Sequence, residues 1–301
     1  MIQERLNTYN ESECWQHTIR VNNLKCDMDS VGFSQEYIDK LRVSDFYFKI
    51  VSDKKERQEL KSFIEKNEWL GNLSQYTTHW FACYHQTILA GVILFNMPNA
   101  FSKTIGENTN ELERLISRGA CISWSPKNLA SSFLMWCINY MVKNTQYRLF
   151  TAYSDPTAKE LGTIYQACNF YYMGQNAGTT TRFVNPYTGK VVSDRYFRQK
   201  TAFKKFAIEL GIEWKKEYSH NTGMNWFNIP DDIEKKLRDY SKYKQSISEK
   251  IDMPSKHKYA FVLGENKTET KRLRMIYESR NKIHSYPKDR TYIRPEKVIL
   301  N

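Results

Sequence analysis

The segment Arg148–Gly174, read RLFTAYSDPTAKELGTIYQACNFYYMG, most narrowly limits what this chain can fold into. Leu149 to Tyr153 is an apolar, aromatic run with the character of a buried strand. Ser154-Asp155-Pro156 interrupts it, because proline cannot continue a hydrogen-bonded ladder and biases its predecessor towards extended geometry. Thr157 to Asn169 reads as a short helix, with Leu161, Ile164, Tyr165 and Cys168 at i, i+3, i+4 and i+7 spacing. Phe170 to Met173 reads as a second strand that Gly174 ends. This order of strand, acidic turn, helix and strand belongs to an α/β protein. It sets Asp155 at the C-terminal edge of a sheet, where open α/β folds keep their ligands. Tyr165 follows ten positions later on the next helix.

The flanking sequence supplies more elements of the same kind. Residues 1–45 form a polar N-terminal arm containing one helix entrance, with Ser34 as N-cap before Ile38 and Leu41. Phe46 to Val51 alternates as a strand, and Ser52-Asp53 caps a helix from Lys54 to Asn67 that carries Leu60, Phe63 and Ile64 on one stripe. His79 to Tyr84 and Ile88 to Phe95 form a hairpin. Met97-Pro98-Asn99 ends it, and 100–110 is a polar loop. Asn110 to Cys121 is a further strand with Leu112, Arg114 and Ile116 on one face. A turn at Trp124–Asn128 leads into a long amphipathic helix through Asn144. The resulting order is β-α-β-β-β-α-β-α-β.

Beyond it, Thr179 to Val192 reads as a hairpin turned at Asn185–Lys190. Asp231 to Tyr243 reads as a helix, Lys256 to Gly264 as a strand and Lys267 to Tyr277 as a basic helix. The expected division is an arm at 1–45, a catalytic domain at 46–205 and a basic extension at 206–301.

Charge points to a polyanionic partner. The chain of 301 residues has 45 Lys and Arg against 33 Asp and Glu, a net charge of +12, and 22 of those bases lie in 202–301 against 14 acids. From Arg182 to Lys205, Arg182, Lys190, Arg195, Arg198, Lys200, Lys204 and Lys205 face one acid, Asp194. Tyr196, Phe197 and Phe203 interleave them. Such a stretch can hold phosphates while rings stack on bases, and it reads equally well as a solvated helix face. Nothing approaches the ~18 apolar residues of a membrane span, and the polar N-terminus lacks an apolar signal segment. A cytoplasmic location is expected, with the six cysteines as reduced thiols. Cys14, His17 and Cys26 lack the fourth ligand and C-x-x-C pair of a zinc site.

The run YSDP…GTIYQACNFYYMG resembles the Mom family of phage DNA-modification enzymes. So do Glu111-Leu112-Glu113-Arg114-Leu115 and Asn128-Leu129-Ala130-Ser131-Ser132, together with the Lys256–Gly264 strand and Tyr286-Pro287-Lys288. The resemblance covers Phe46 to Lys205, with a weaker echo towards the C-terminus. It implies the fold of the GCN5-related N-acetyltransferases, a mixed twisted sheet flanked by helices. It further implies transfer of an acyl or carbamoylmethyl-type group to the exocyclic N6 amine of adenine in double-stranded DNA, from a donor such as acetyl-CoA. Iron is linked to the family, but His79 and His85 are too weak a signal to assign as its ligands.

By the same resemblance the catalytic candidates are Asp155, Tyr165, Arg114 and Ser131. The donor would lie against Lys127, Asn128, Ser131 and Ser132, at a helix start that lacks the usual glycine-rich turn. Arg182, Arg195, Arg198, Lys200, Lys204 and Lys205 are the DNA-binding candidates. The residues alone leave alternatives open. Asp155 suits an Asx turn, Tyr165 a half-buried core ring, Ser131 a cap, and Arg114 a structural ion pair or an anion, Asp155 included. An ordinary N-acetyltransferase and a non-enzymatic nucleic-acid-binding protein remain alternatives for the whole.

Overall fold

A computed structural model describes residues 14–73, 76–98, 105–106, 110–178, 181–221 and 223–288. Most of the expected loop at 100–110, the first residues of the arm and Thr179 of the expected hairpin lie outside them. The chain forms two compact units. Among the described residues, one is built on 178–254 and the other on 14–177 together with 255–288.

The larger unit is a seven-stranded sheet. Its strands are β1 (Phe46–Ile50), β2 (Thr77–His85), β3 (Ile88–Asn96), β4 (Glu113–Cys121), β5 (Leu149–Ser154), β6 (Tyr171–Ala177) and β10 (Lys256–Val262), in the order β1-β2-β3-β4-β5-β10-β6. Only β4 and β5 pair in parallel among these neighbours; the rest are antiparallel. Helix α3 (Lys54–Asn67) begins where the Asp53 carboxylate accepts the Glu56 N–H at 2.9 Å, and buries Leu60 and Ile64 fully. Helix α4 (Leu129–Asn144) covers the other face, with Phe133 stacked on Phe48 and Trp136 edge-on to Phe81. Helix α8 (Lys267–Arg280) packs Leu273 and Tyr277 on Leu149, Ala260 and Val262. Phe150 and Phe261 alternate away from that side into the main core. This mixed sheet with helices on both faces is the fold expected from the sequence.

Three expectations are corrected by long-range contacts. The helix expected over Thr157–Asn169 is broken into a 3₁₀ turn, Pro156–Ala158, and a five-residue helix α5 (Thr163–Ala167). Between them Lys159 and Gly162 take left-handed geometry, φ 57° and 66°. Tyr259 on β10 is the cause. Its hydroxyl donates to the Leu161 carbonyl at 2.5 Å, and its ring lies where a Cβ on residue 162 would stand. A helix through this point would lose that carbonyl and clash with that ring. Secondly, Gly174 lies inside β6 and does not end it. Thirdly, the expected 206–301 extension is divided: β10 and α8 belong to the central sheet unit, and helix α6 (Lys200–Glu209) runs through the expected boundary at 205.

The smaller unit has a three-stranded sheet, with β7 (Thr181–Val184) between β8 (Val191–Val192) and β9 (Lys250–Asp252). Helices α6 and α7 (Asp231–Ile247) close it over Phe183, Phe197, Phe203, Phe206 and Leu237. Phe197 and Phe203, expected between the basic residues as stacking rings, are core residues at 0% and 3% exposure.

The arm folds as α1 (Trp15–Val31) and α2 (Gln35–Lys40). Asp27 on α1, 1% exposed, accepts from Ser123 Oγ at 2.6 Å and from Lys66 Nζ at 2.5 Å. Arg20 donates to the Ser123 and Ser125 carbonyls. The arm therefore braces the turn that precedes α4.

Candidate active site

The parallel pair opens towards its C-terminal end. Glu113–Ile116 of β4 are in register with Leu149–Ala152 of β5. Past that point β4 continues against β3 through Cys121, while Tyr153 and Ser154 pair with β10. Gly119, in the middle strand of seven, is solvent-exposed as a result. A gap at the carboxyl ends of parallel strands is the usual ligand position in open α/β sheets.

Asp155 lies at this edge, as expected. Its side chain is fully engaged. One carboxylate oxygen accepts from Thr157 N and Oγ1 at 3.0 and 2.7 Å, and the other meets Lys256 Nζ at 2.7 Å. Burial pushes its pKa up, but Lys256 and the Thr157 hydrogen bonds outweigh this and hold it below the ordinary carboxylate value. The Asx turn of the alternative reading is thus present, and Pro156 stands at its first position.

Glu160 is the opposite case. One of its oxygens accepts the Asp155 N–H at 3.2 Å. Burial raises its pKa to about 7; the Asp155 N–H and Lys256 work against this, and the charges of Glu68 and Asp155 reinforce it. Two neighbouring carboxyls with pKa values displaced in opposite directions can act as separate acid and base.

Tyr165, on α5, packs its ring on Tyr259 and Phe170 at 5.3 Å each. Burial, then the charges of Glu160 and Glu68, raise its pKa. The described residues show no contact between Tyr165 and Asp155; Glu160 is the group whose field both share. Arg118 on β4 lies 3.9 Å from Glu68 and lowers the Tyr165 pKa. His257, 5% exposed and bonded at Nδ1 to Tyr172 Oη at 2.8 Å, is also within the field of Asp155.

Arg114 does not join this group. It pairs with Phe150, near the start of β5, whereas Asp155 follows the strand's end. Its guanidinium lies 3.7 Å from the Tyr147 ring centroid and donates to Tyr147 Oη and the Glu113 carbonyl. The partner offered by the structure is therefore Tyr147, and not Asp155.

Ser131 Oγ donates to the Asn128 carbonyl at 3.1 Å, a contact that steadies the first turn of α4, and the Ser131 carbonyl lies 3.7 Å from Cys168 Sγ. Asn128 is the left-handed N-cap, with φ 67° and no side-chain cap, and no acid lies in the first turn. Lys127 is exposed, Ser132 half-buried. An uncapped sixteen-residue helix beginning beside a lysine fits the pyrophosphate of a CoA-type donor. Iron does not fit: among the described residues no three His, Cys, Asp or Glu side chains stand close enough to hold a metal ion.

The DNA-binding candidates all lie in the smaller unit. Arg195, Arg198 and Lys204 are exposed, and Arg182, Lys200 and Lys205 are half-buried. Arg198 pairs with Asp194, Lys200 donates to the His220 carbonyl at 2.9 Å, and Lys205 lies over Tyr187 at 4.6 Å. Phe227, which the sequence did not single out, is 97% exposed beside Trp226, and Arg238 stacks on Trp226 at 4.0 Å. No described helix is long and apolar enough to cross a membrane.

Glu160, Lys256, Glu68 and Arg118 were missed by sequence reasoning. A Lys and a Glu on separate segments carry no pattern, although Glu160 five residues after Asp155 was visible within the same motif.

Sheet order, helix placement and the gap at β4 and β5 define an α/β fold of the GCN5-related N-acetyltransferase kind. Solved structures with this likeness include a Bacillus subtilis acetyltransferase in complex with CoA (9% identity, 72% of this chain and 99% of that one, TM-score 0.35). An N-acetyltransferase from Staphylococcus aureus Mu50 matches at 15% identity over 49% of this chain and 92% of that one, with TM-score 0.31. FeeM, an N-acyl amino acid synthase from uncultured soil microbes, matches at 14% over 43% and 80%, also with TM-score 0.31. No curated protein matches the sequence. The chain belongs to the Mom protein family, whose model matches residues 45–288 and so extends through β10 and α8.

Proposed function

We propose that this protein is a phage-type DNA-modification transferase that attaches an acyl or carbamoylmethyl-type group to the N6 amine of adenine in double-stranded DNA, protecting that DNA from restriction in the host cytoplasm. The observation that carries this reading is the Asp155 and Glu160 carboxyl pair beside the β4–β5 gap, in a chain of the Mom family. A CoA thioester, when bound, supplies an activated acyl carbon. Lys127 and the free N–H groups at the start of α4 would hold its pyrophosphate.

The adenine amine is a weak nucleophile because its lone pair is conjugated with the ring. It needs a base within hydrogen-bond reach as it attacks, and the carboxyl pair supplies one. Tyr165, whose hydroxyl is protonated at neutral pH and which burial pushes further up, serves as a hydrogen-bond donor. A base in a duplex must be flipped to reach such a site. The smaller unit brings the means for holding DNA: Arg195, Arg198 and Lys204 for phosphates, and exposed Phe227 as a stacking ring.

The test is mass spectrometry of nucleosides from plasmid DNA co-expressed with the full chain. A heavier adenine, absent from cells lacking the protein, is expected. Unmodified nucleosides from cells that contain abundant soluble protein would overturn the reading.

A further inference from the structure

The two carboxyls of the pair differ in what surrounds them, and the difference assigns their roles. We infer that Glu160 is the group that takes the N6 proton during transfer, and that Asp155 is a positioning residue which holds Glu160 and Lys256 in place. The inference rests on the function proposed above and deepens it.

Asp155 has no oxygen to spare. Thr157 donates twice to one oxygen and Lys256 occupies the other at 2.7 Å. A carboxylate held in that way is a weak base, and protonating it would require breaking an ion pair. Glu160 accepts a single protein hydrogen bond among the described residues, from the Asp155 N–H, and that bond uses Oε2. Its other oxygen is left for a ligand. The half-buried side chain reaches back to the Asp155 N–H, just past the end of β5, and stands close enough to Glu68 and Lys256 to feel their charges. The charged groups that act on it are Asp155 on its own segment, Lys256 on β10 and Glu68 after α3, and Glu68 has Arg118 of β4 at 3.9 Å. Two of them are acids, and with burial they raise the Glu160 pKa to about 7, where a carboxylate is strong enough to accept a proton and still able to release it.

When the transferred group is an acyl group, N6 forms a bond to the acyl carbon while the carbon–sulfur bond of a donor thioester breaks. The N6 proton passes to Glu160 and from there to the departing thiolate, so charge and electrons balance. This acyl transfer calls for no oxidant or reductant.

Two measurements test the assignment. In the co-expression assay, Glu160→Gln lowers modified adenine at least ~100-fold at equal soluble protein, the scale of a lost general base, while Glu160→Asp restores part of it and Asp155→Asn causes a smaller loss. Product within threefold of wild type for Glu160→Gln, or a larger loss for Asp155→Asn, overturns the assignment. The second measurement does not depend on activity. Carbon-13 carboxyl NMR of glutamate-labelled protein, with Glu160→Gln used to identify the resonance, is expected to show titration near pH 7. Titration at the ordinary glutamate value overturns the inference. If wild-type protein yields no modified adenine, the functional reading falls, and the titration still decides whether Glu160 has the raised pKa that the assignment requires.

Discussion

Replacing Glu160 by glutamine should stabilise the protein above neutral pH and do little in acid. The carboxyl titrates near 4.5 when unperturbed and at about 7 in the folded chain. Its pKa is raised on folding, so the native state holds the proton more tightly than the unfolded one. The contribution is fully present below 4.5 and is lost as pH rises through 7. A displacement of roughly 2.5 units at 1.36 kcal/mol each makes ionised Glu160 cost about 3 kcal/mol at pH 8, and under about 1 kcal/mol at pH 5. Glutamine keeps the carbonyl that accepts the Asp155 N–H and removes the charge.

Urea unfolding of the full chain, wild type against Glu160→Gln, measures this directly at the two pH values. The variant should gain about 2 kcal/mol more at pH 8 than at pH 5. An equal effect at both values would refute the reasoning, because a change in packing alone has no pH dependence. Gain of stability with loss of product would be the signature of a strained functional group.

The remaining predictions concern other parts of the molecule. Asp27→Ala should destabilise by about 2 kcal/mol, since it leaves buried Ser123 Oγ without its acceptor, and urea midpoints unchanged from wild type would contradict the bracing role of α1. Gly162→Ala should cost at least about 2 kcal/mol from left-handed strain and collision with Tyr259, a loss that thermal unfolding will detect. The Arg195→Ala/Lys204→Ala double variant should weaken duplex DNA binding and reduce the slope of log K against log salt by about 2, measured by fluorescence anisotropy; an unaltered slope would take both residues out of the interface.

Local pattern carried the reading a long way. Pro156 punctuates the chain, so Asp155 was legible as a residue leaving a strand, and it does cap the turn after Ser154. The stripe of Leu60, Phe63 and Ile64, with Asp53 ahead of it, made α3 legible from spacing and cap together. Where the reading failed, the deciding contact came from far along the chain. Tyr259 broke the expected helix at Gly162 from β10, and Tyr147 took the place of Asp155 beside Arg114. Phe197 and Phe203 looked like rings among phosphate-binding bases until α6 and α7 enclosed them.

The sequence by itself determined most strands and helices of the central sheet, the acidic turn at its edge and the surplus of positive charge, because those follow from side-chain period, proline and glycine chemistry and composition. Only the tertiary structure decided which carboxyl is tied down and which, among the described residues, keeps an oxygen without a protein hydrogen bond. Glu68 and Lys256 act on the Asp155–Glu160 turn from two distant stretches of chain. A pKa is set by charge and solvent in space, which no spacing along the backbone records.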